Sequence, residues 1–284
     1  MTPLLSSWRD IAVFLDATPQ GDQIGRHAAM LAKRHKAHLV GVYSVARSSL
    51  DRHSTYARGS AVAAVVRQQR EADEQKVLAA SRHFAELTQE YEISSEFRIV
   101  WRDSALDDGV LRALHCDLIV AAHPKPMDLP SSWSAERLLL VTGIPVLLIP
   151  DGWTGATIGD APLIAWNRSR EARRAVNDAL PFINMAAKVT ILTIDSDRNP
   201  GHYGDDPGTN LAEHLTRHGA TVEVAKLSSD GSAIADVILN QAAAQNADLL
   251  IIGAYSHPRT TEILFGGITR SLLSAAHLPL LLSR

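Results

Sequence analysis

The same series of short apolar segments occurs twice along this chain, and this repeat limits the folds that the chain can adopt. Asp117 begins the run DLIV in the first half, and Asp248 begins the run DLLI in the second. A proline-led apolar run follows each of them, at Pro145 after 28 residues and at Pro279 after 31 residues. A period this long indicates two duplicated domains rather than a solenoid.

Within each repeat, short apolar runs alternate with longer segments of helical periodicity. The runs are too short for helices and have the continuous hydrophobicity of strands buried on both faces. This alternation predicts an α/β fold of two tandem Rossmann-like domains, each a five-stranded parallel sheet with helices on both faces. The predicted strands are 11–16, 38–45, 94–102, 117–124 and 144–150, then 162–167, 188–195, 220–227, 249–253 and the run after Pro279.

The predicted domains are residues 1–150 and 162–284, joined by a linker at 151–161 that is rich in Gly, Asp and Thr. A length of 284 residues suits two domains of ordinary size. A long helix is expected to begin within 60–70 and to continue through Tyr91.

The composition excludes several classes of partner. With a formal net charge of -3 and no block of like charge, the chain is not expected to bind nucleic acid by bulk electrostatics. No apolar run approaches the roughly 20 residues of a membrane span, and the N-terminus lacks a signal pattern. We therefore expect a cytoplasmic protein without membrane contact. Cys116, the single cysteine, lies in an apolar run and is interpreted as a core residue.

The strongest candidate site follows the strand at 249–253. A polar loop leads to Gly266 and Gly267, which open a predicted helix through Leu273. Unpaired amides and the helix dipole at such a helix start favour an anionic group. The amides of Gly266, Gly267 and Ile268 would hold phosphate oxygens, and Thr269 would add a hydroxyl. The alternative is that the two glycines only cap the helix.

The spacing of this loop resembles that of the universal stress protein family. Nucleotide-binding members carry a Gly, two residues, a second Gly, nine residues, and then Gly followed by Ser or Thr. Here Gly253, Ser256, Gly266 and Gly267 match those four places in spacing, but Ser256 replaces a glycine and Gly267 replaces the Ser or Thr. The chain is thus similar to tandem members of the family, and the resemblance implies ATP, ADP or AMP as ligand.

The family also places an Asp at the end of its first strand, beside the adenine and ribose. Asp16 matches it in the first half, and Asn167 stands there in the second. An amide still accepts one hydrogen bond from ribose, although more weakly than a carboxylate. Alternatively, Asn167 or Ser169 caps the following helix. The resemblance completes the cofactor-binding set with three residues at strand ends, Ala165, Trp166 and Ile194.

The first half is not expected to hold phosphate. Its corresponding loop has no glycine between Ala121 and Gly143, and three prolines there remove amide donors. No metal site is predicted, although His214 and His218 have the i, i+4 spacing of a two-histidine face.

The resemblance implies a stress-response protein that binds an adenine nucleotide in its second half and is non-catalytic or weakly hydrolytic. Two alternatives stay open: a scaffold without nucleotide, and a nucleotide hydrolase for which Asp248 and Glu262 are the nearest acids in sequence. The resemblance also implies that the domains dock through their last strands, at 144–150 and 278–284, and that whole chains form homodimers. Both strands are apolar edge candidates that need cover.

Overall fold

The computed structural model describes residues 7–16, 19–46, 60–102, 109–127, 129–198, 207–254 and 267–284. Its strands are β1 (Asp10–Leu15), β2 (His38–Ala46), β3 (Ser95–Arg102), β4 (Leu118–His123), β5 (Val146–Pro150), β6 (Pro162–Ala165), β7 (Val189–Ile194), β8 (Val222–Leu227), β9 (Leu249–Gly253) and β10 (Leu280–Ser283). Its helices are α1 (Pro19–His35), α2 (Ser60–Glu90), α3 (Gly109–Arg112), α4 (Ala135–Thr142), α5 (Arg170–Asp178), α6 (Leu180–Ile183), α7 (Pro207–Arg217), α8 (Ile234–Ala244) and α9 (Gly267–Ala275).

All ten strands form one sheet in the order β3-β2-β1-β4-β5-β10-β9-β6-β7-β8. The five strands within each half are parallel, so the predicted α/β fold is confirmed, and the two sets of five strands join into one continuous sheet. The halves meet at β5 and β10, which pair antiparallel with Leu281 opposite Leu147. Because this pairing is antiparallel, the carboxyl ends of the strands point to opposite edges of the sheet in the two halves.

Two apolar layers cover the faces of the sheet. One contains α1 and α5, represented by Leu31 and Ala175, and the other contains α4 and α9, represented by Leu138 and Leu272. Side chains alternate along each strand, so β9 sends Ile251 to the first layer and Ile252 to the second. Each layer includes residues of both halves, and the sheet is therefore covered continuously across the junction of β5 and β10.

Several element boundaries differ from those predicted. The sequence pattern of 169–186 predicts a single helix, but α5 ends at Asp178, and a separate turn, α6, follows with Pro181 in its first turn. Proline lacks the amide that a continuous helix would need at that position. The pattern of 105–116 also predicts a helix, but the described part of that segment contains only the four-residue α3. The long helix is confirmed as α2, and residues 151–161 contain no helix or strand.

Candidate nucleotide site

The topology places a crevice at the carboxyl end of each half of the sheet. In the second half, β6 and β9 are neighbours, and the chain continues from them into α5 on one face and toward α9 on the other. Such a switch point, where successive connections leave toward opposite faces, is where open α/β sheets bind ligands. The predicted site residues that the structure describes at the ends of β6, β7 and β9 therefore lie at the edge of the sheet where a ligand is expected.

The end of β6 presents the first group of predicted residues. Ala165 is half-buried, Trp166 is buried, and the Trp166 amide donates to the Leu192 carbonyl at 2.9 Å. Asn167 is exposed, and its Oδ1 accepts the Ser169 amide at 3.1 Å. This local bond is an Asx turn, which occupies the oxygen that was expected to face ribose.

The amino end of α5 is satisfied by the chain's own side chains. Ser169, not Asn167, is the N-cap, and its hydroxyl accepts the Ala172 amide at 3.1 Å. The buried Glu171 carboxylate accepts Arg170 Nε at 2.5 Å. Burial alone would raise the pKa of Glu171, but hydrogen bonds from Arg170, from its own amide and from Ser169 lower it overall. An external anion at α5 would meet this carboxylate.

Gly253 is required by packing between β9 and α5. A Cβ atom at this position would lie 2.3 Å from the Ala172 amide nitrogen and 2.4 Å from the Glu171 carbonyl carbon. These are backbone atoms, which cannot move aside as the end of a side chain can. The packing of α5 against β9 therefore accounts for a glycine at position 253 without any binding role.

The amino end of α9 differs from that of α5. Gly267 is exposed, and a Cβ there would meet no described atom within 4 Å. The first turn of α9 contains no acidic residue, and Ile268 is 49% exposed. Thr269 is buried, as are Leu272 and Leu273 of the same helix. Two other predicted residues, Ser256 and Gly266, lie outside the described part of the chain.

The neighbouring strand ends carry polar groups that the sequence analysis missed. Ile194 is half-buried, and the next residue, Asp195, accepts the Ser229 amide at 2.9 Å and the Ser229 hydroxyl at 2.6 Å. The hydroxyls of Thr193 and Ser283 are buried and have no hydrogen-bond partner among the described residues. Ser283 is the last residue of β10 and Thr193 is the next to last of β7, so a polar residue near the carboxyl end of an apolar strand is the sequence signal for both hydroxyls.

In the first half, the chain's own side chains pack at the corresponding edge of the sheet. Asp16 is buried against the first turn of α1, where a Cβ on Gly21 would lie 2.3 Å from its Oδ1. Trp133 is buried with its ring 4.5 Å from that of Phe14, and His123 Nε2 lies 2.8 Å from the Leu273 carbonyl of α9. Burial lowers the pKa of His123, although the bond to Leu273 partly opposes this shift. The second half is therefore the better candidate for a ligand.

Other reactive groups were also located. The ring of His214, in the last turn of α7, is 4.8 Å from that of His218, which follows the helix, and no group of three or more metal-ligating side chains occurs within the described ranges. Burial raises the pKa of Cys116 to about 12, which agrees with a core thiol rather than a reactive one.

Among the helices the structure describes, none combines the length and apolar composition needed to cross a bilayer.

Comparison with known proteins identifies the second half. A family model described as "Universal stress protein family" matches residues 163–284, which include every predicted cofactor-binding residue. Residues 163–284 belong to the universal stress protein family. The chain has no match among curated protein sequences.

Solved structures extend the likeness to the whole chain at the level of fold. A universal stress protein from Archaeoglobus fulgidus DSM 4304 is 14% identical with a TM-score of 0.72, over 99% of this chain and 97% of that one. A functionally unknown protein from Pseudomonas aeruginosa PAO1 is 18% identical with a TM-score of 0.61, over 98% and 93%. The N-terminal half thus resembles a second universal stress protein domain, and the predicted tandem arrangement is confirmed.

Proposed function

We propose that the C-terminal domain of this stress-response fold binds an adenine nucleotide, ATP, ADP or AMP, at the crevice between β6 and β9. The observation that carries the proposal is the contrast between two helix starts at this crevice. The start of α5 is closed by Ser169 and Glu171, whereas the first turn of α9 has no acidic residue and a Cβ on Gly267 would meet no described atom within 4 Å. Phosphate oxygens would accept the amides of α9, where the helix dipole also favours negative charge.

Hydrogen bonds from Asn167 to the ribose would be weaker than those of family members that have an aspartate at this position. Asn167 can offer its Nδ2 hydrogens, and a second acceptor lone pair remains on Oδ1 beside the Ser169 amide. Neutral hydrogen bonds contribute about 0.5–1.5 kcal/mol each, compared with about 1.5–3 kcal/mol for charged ones. We therefore expect nucleotide to bind with modest affinity and to exchange readily.

We infer a binding role rather than hydrolysis. Asp248, one of the two acids considered for catalysis, lies before β9 at the edge opposite the crevice. Its carboxylate accepts the amides of Asp160 at 2.8 Å and Ala161 at 2.9 Å, so it is a structural group. The other acid, Glu262, lies outside the described residues.

A scaffold without nucleotide is the second candidate. Two observations favour it: the Asn167 oxygen is already bonded to Ser169, and Thr269 is buried. In that function the C-terminal domain would act through protein contacts, and pairing of whole chains into homodimers would be its main activity.

Mass spectrometry of the purified and then denatured protein separates these two functions. If the protein binds nucleotide, denaturation is expected to release a detectable amount of ATP, ADP or AMP, including amounts below one molecule per chain. A second measurement adds each nucleotide at millimolar concentration and records thermal unfolding. If no nucleotide is released and no added nucleotide protects the protein against unfolding, the scaffold function is favoured and the nucleotide proposal fails.

A further inference from the structure

A second polar cleft lies at the amino edge of the first half, far along the sheet from the nucleotide site. It has a volume of about 420 Å³ and forms where α1 and α2 end and the chain enters β2 and β3. Small-molecule sites typically have volumes of a few hundred Å³ or more. Its lining combines residues from three separate segments: one before β1, one around the end of α1, and one after α2.

Three cationic side chains line this cleft. Arg9 comes from the segment before β1, and Lys33 and Lys36 come from the end of α1. All three are exposed, and within the described ranges none has a carboxylate within 4.0 Å. Glu92 is the carboxylate among the lining residues, so the cleft keeps two positive charges in excess.

The backbone holds these groups in defined places. Lys36 and Glu92 adopt left-handed conformations with φ of 54° and 55° as the two helices end. The Lys36 amide donates to the Lys33 carbonyl at 3.2 Å, and His38 Nδ1 lies 2.8 Å from Ser94 Oγ across the cleft floor. A carboxylate at the same edge, Asp117, accepts the amides of Arg9 and Asp10 and thereby ties the start of β1.

Basic residues at the end of a helix also interact favourably with its dipole, which accounts for a lysine at position 33 or 36. It does not account for Arg9, which belongs to a different segment and approaches the same space. Like charges brought together without a counter-ion repel each other, and a bound anion would remove that repulsion.

We propose that this cleft binds a phosphate-bearing small molecule. Arg9 would engage the phosphate through its planar fork of donors, and the two lysines would act as point charges. Tyr91 and Ile93 form an apolar side of the cleft against which the rest of the molecule would pack. The site is independent of the nucleotide crevice, and the proposal does not depend on nucleotide binding there.

Titration with pyrophosphate, followed by the amide resonances of the full-length protein, tests this proposal. We expect saturable shifts at Ala37, His38 and Ile93. The double variant Lys33→Gln/Lys36→Gln should weaken binding at these resonances at least tenfold. Arg26→Gln removes the same kind of charge from an exposed position of α1 outside the cleft, and it should change the affinity less than twofold.

A Gly267→Asp variant separates the two sites, because it adds a carboxylate at α9 only. Cleft shifts that persist in that variant support the proposal. Absence of saturable shifts in the wild type, or equal weakening by Arg26→Gln and by the double lysine variant, overturns it. Unchanged far-UV circular dichroism of each variant confirms that the fold is intact.

Discussion

Glycine occurs at positions 253 and 267 of the same motif for different physical reasons. At Gly253 the backbone of α5 leaves no room for a Cβ, whereas at Gly267 a Cβ would meet no atom of the described residues within 4 Å. In the family pattern Gly253 matches a glycine, whereas Gly267 stands in place of a Ser or Thr. Only the structure separates the glycine that packing requires from the one that leaves access to the helix start.

We therefore predict opposite effects of the same substitution. Gly253→Ala should destabilise the protein by about 1–3 kcal/mol, because the new methyl group overlaps the first turn of α5. Gly267→Ala should leave stability unchanged or raise it by about 0.4–1 kcal/mol, because alanine lowers the conformational entropy of the unfolded chain. Urea unfolding of both variants measures this difference, and equal destabilisation would contradict the assigned packing.

His35 is a buried histidine between the aromatic rings of the two halves. Its ring centroid lies 4.5 Å from that of Trp8 and 6.1 Å from that of Phe182, and its Nε2 has no hydrogen-bond partner among the described residues. Burial, with a smaller effect of the neighbouring Arg34, lowers the pKa of His35 from 6.5 to about 4. The neutral ring is therefore the form that the folded protein accommodates.

This pKa predicts a loss of stability on acidification. The contribution of His35 is fully present above pH 6.5, and it is lost progressively as the pH falls toward 4, because the unfolded chain binds the proton more readily. The full loss is on the order of 3 kcal/mol. Urea unfolding at pH 7.5, 6 and 5 should show a shallower pH dependence in His35→Phe than in the wild type. Identical slopes would disprove the assignment.

At the scale of elements, the strands were easier to predict than the site. The run at 249–253 matches β9 residue for residue, because a short apolar run between polar turns has few other structures available. The choice between Asn167 and Ser169 as N-cap stayed open, since both types cap helices equally well. The cleft at Arg9, Lys33 and Lys36 could not be predicted, because its residues come from different segments that only the topology brings together.

The pairing of β5 with β10 predicts energetic coupling between the two halves. Leu147 and Leu281 are opposite each other in the register, and both are fully buried. Each Leu→Ala substitution should cost about 2–5 kcal/mol. The double variant should cost less than the sum by about 0.5–3 kcal/mol, as measured by a double-mutant cycle in urea. Strict additivity would show that the two side chains are not energetically coupled across the junction.

At the scale of the whole molecule, the two halves share their contacts beyond the sheet. Arg34 of α1 forms an ion pair with Asp160 at 2.8 Å and donates to the Ile158 carbonyl at 3.2 Å. Trp8 packs edge-on against Phe182, with ring centroids 4.6 Å apart. The segment at 151–161 is thus held against the first half as well as the second.

Because of these shared contacts, we predict that the protein unfolds in a single cooperative transition. Chains with two domains often show two transitions, so the outcome is informative. Differential scanning calorimetry should give one peak whose calorimetric and van't Hoff enthalpies agree. Two resolved peaks would mean that the halves are energetically independent.

Under the proposed function, the amides of α9 bind the phosphates of an adenine nucleotide in the crevice beside that helix. Isothermal titration calorimetry of ATP against the wild type, Gly267→Asp and Gly267→Asn tests it most directly. An aspartate at the first position of a helix favours the helix but repels phosphate, whereas asparagine adds similar bulk without charge. We predict saturable binding in the wild type, retained binding in Gly267→Asn, and at least tenfold weaker binding in Gly267→Asp. Absence of binding in the wild type, or equal affinity in all three proteins, would contradict the claim.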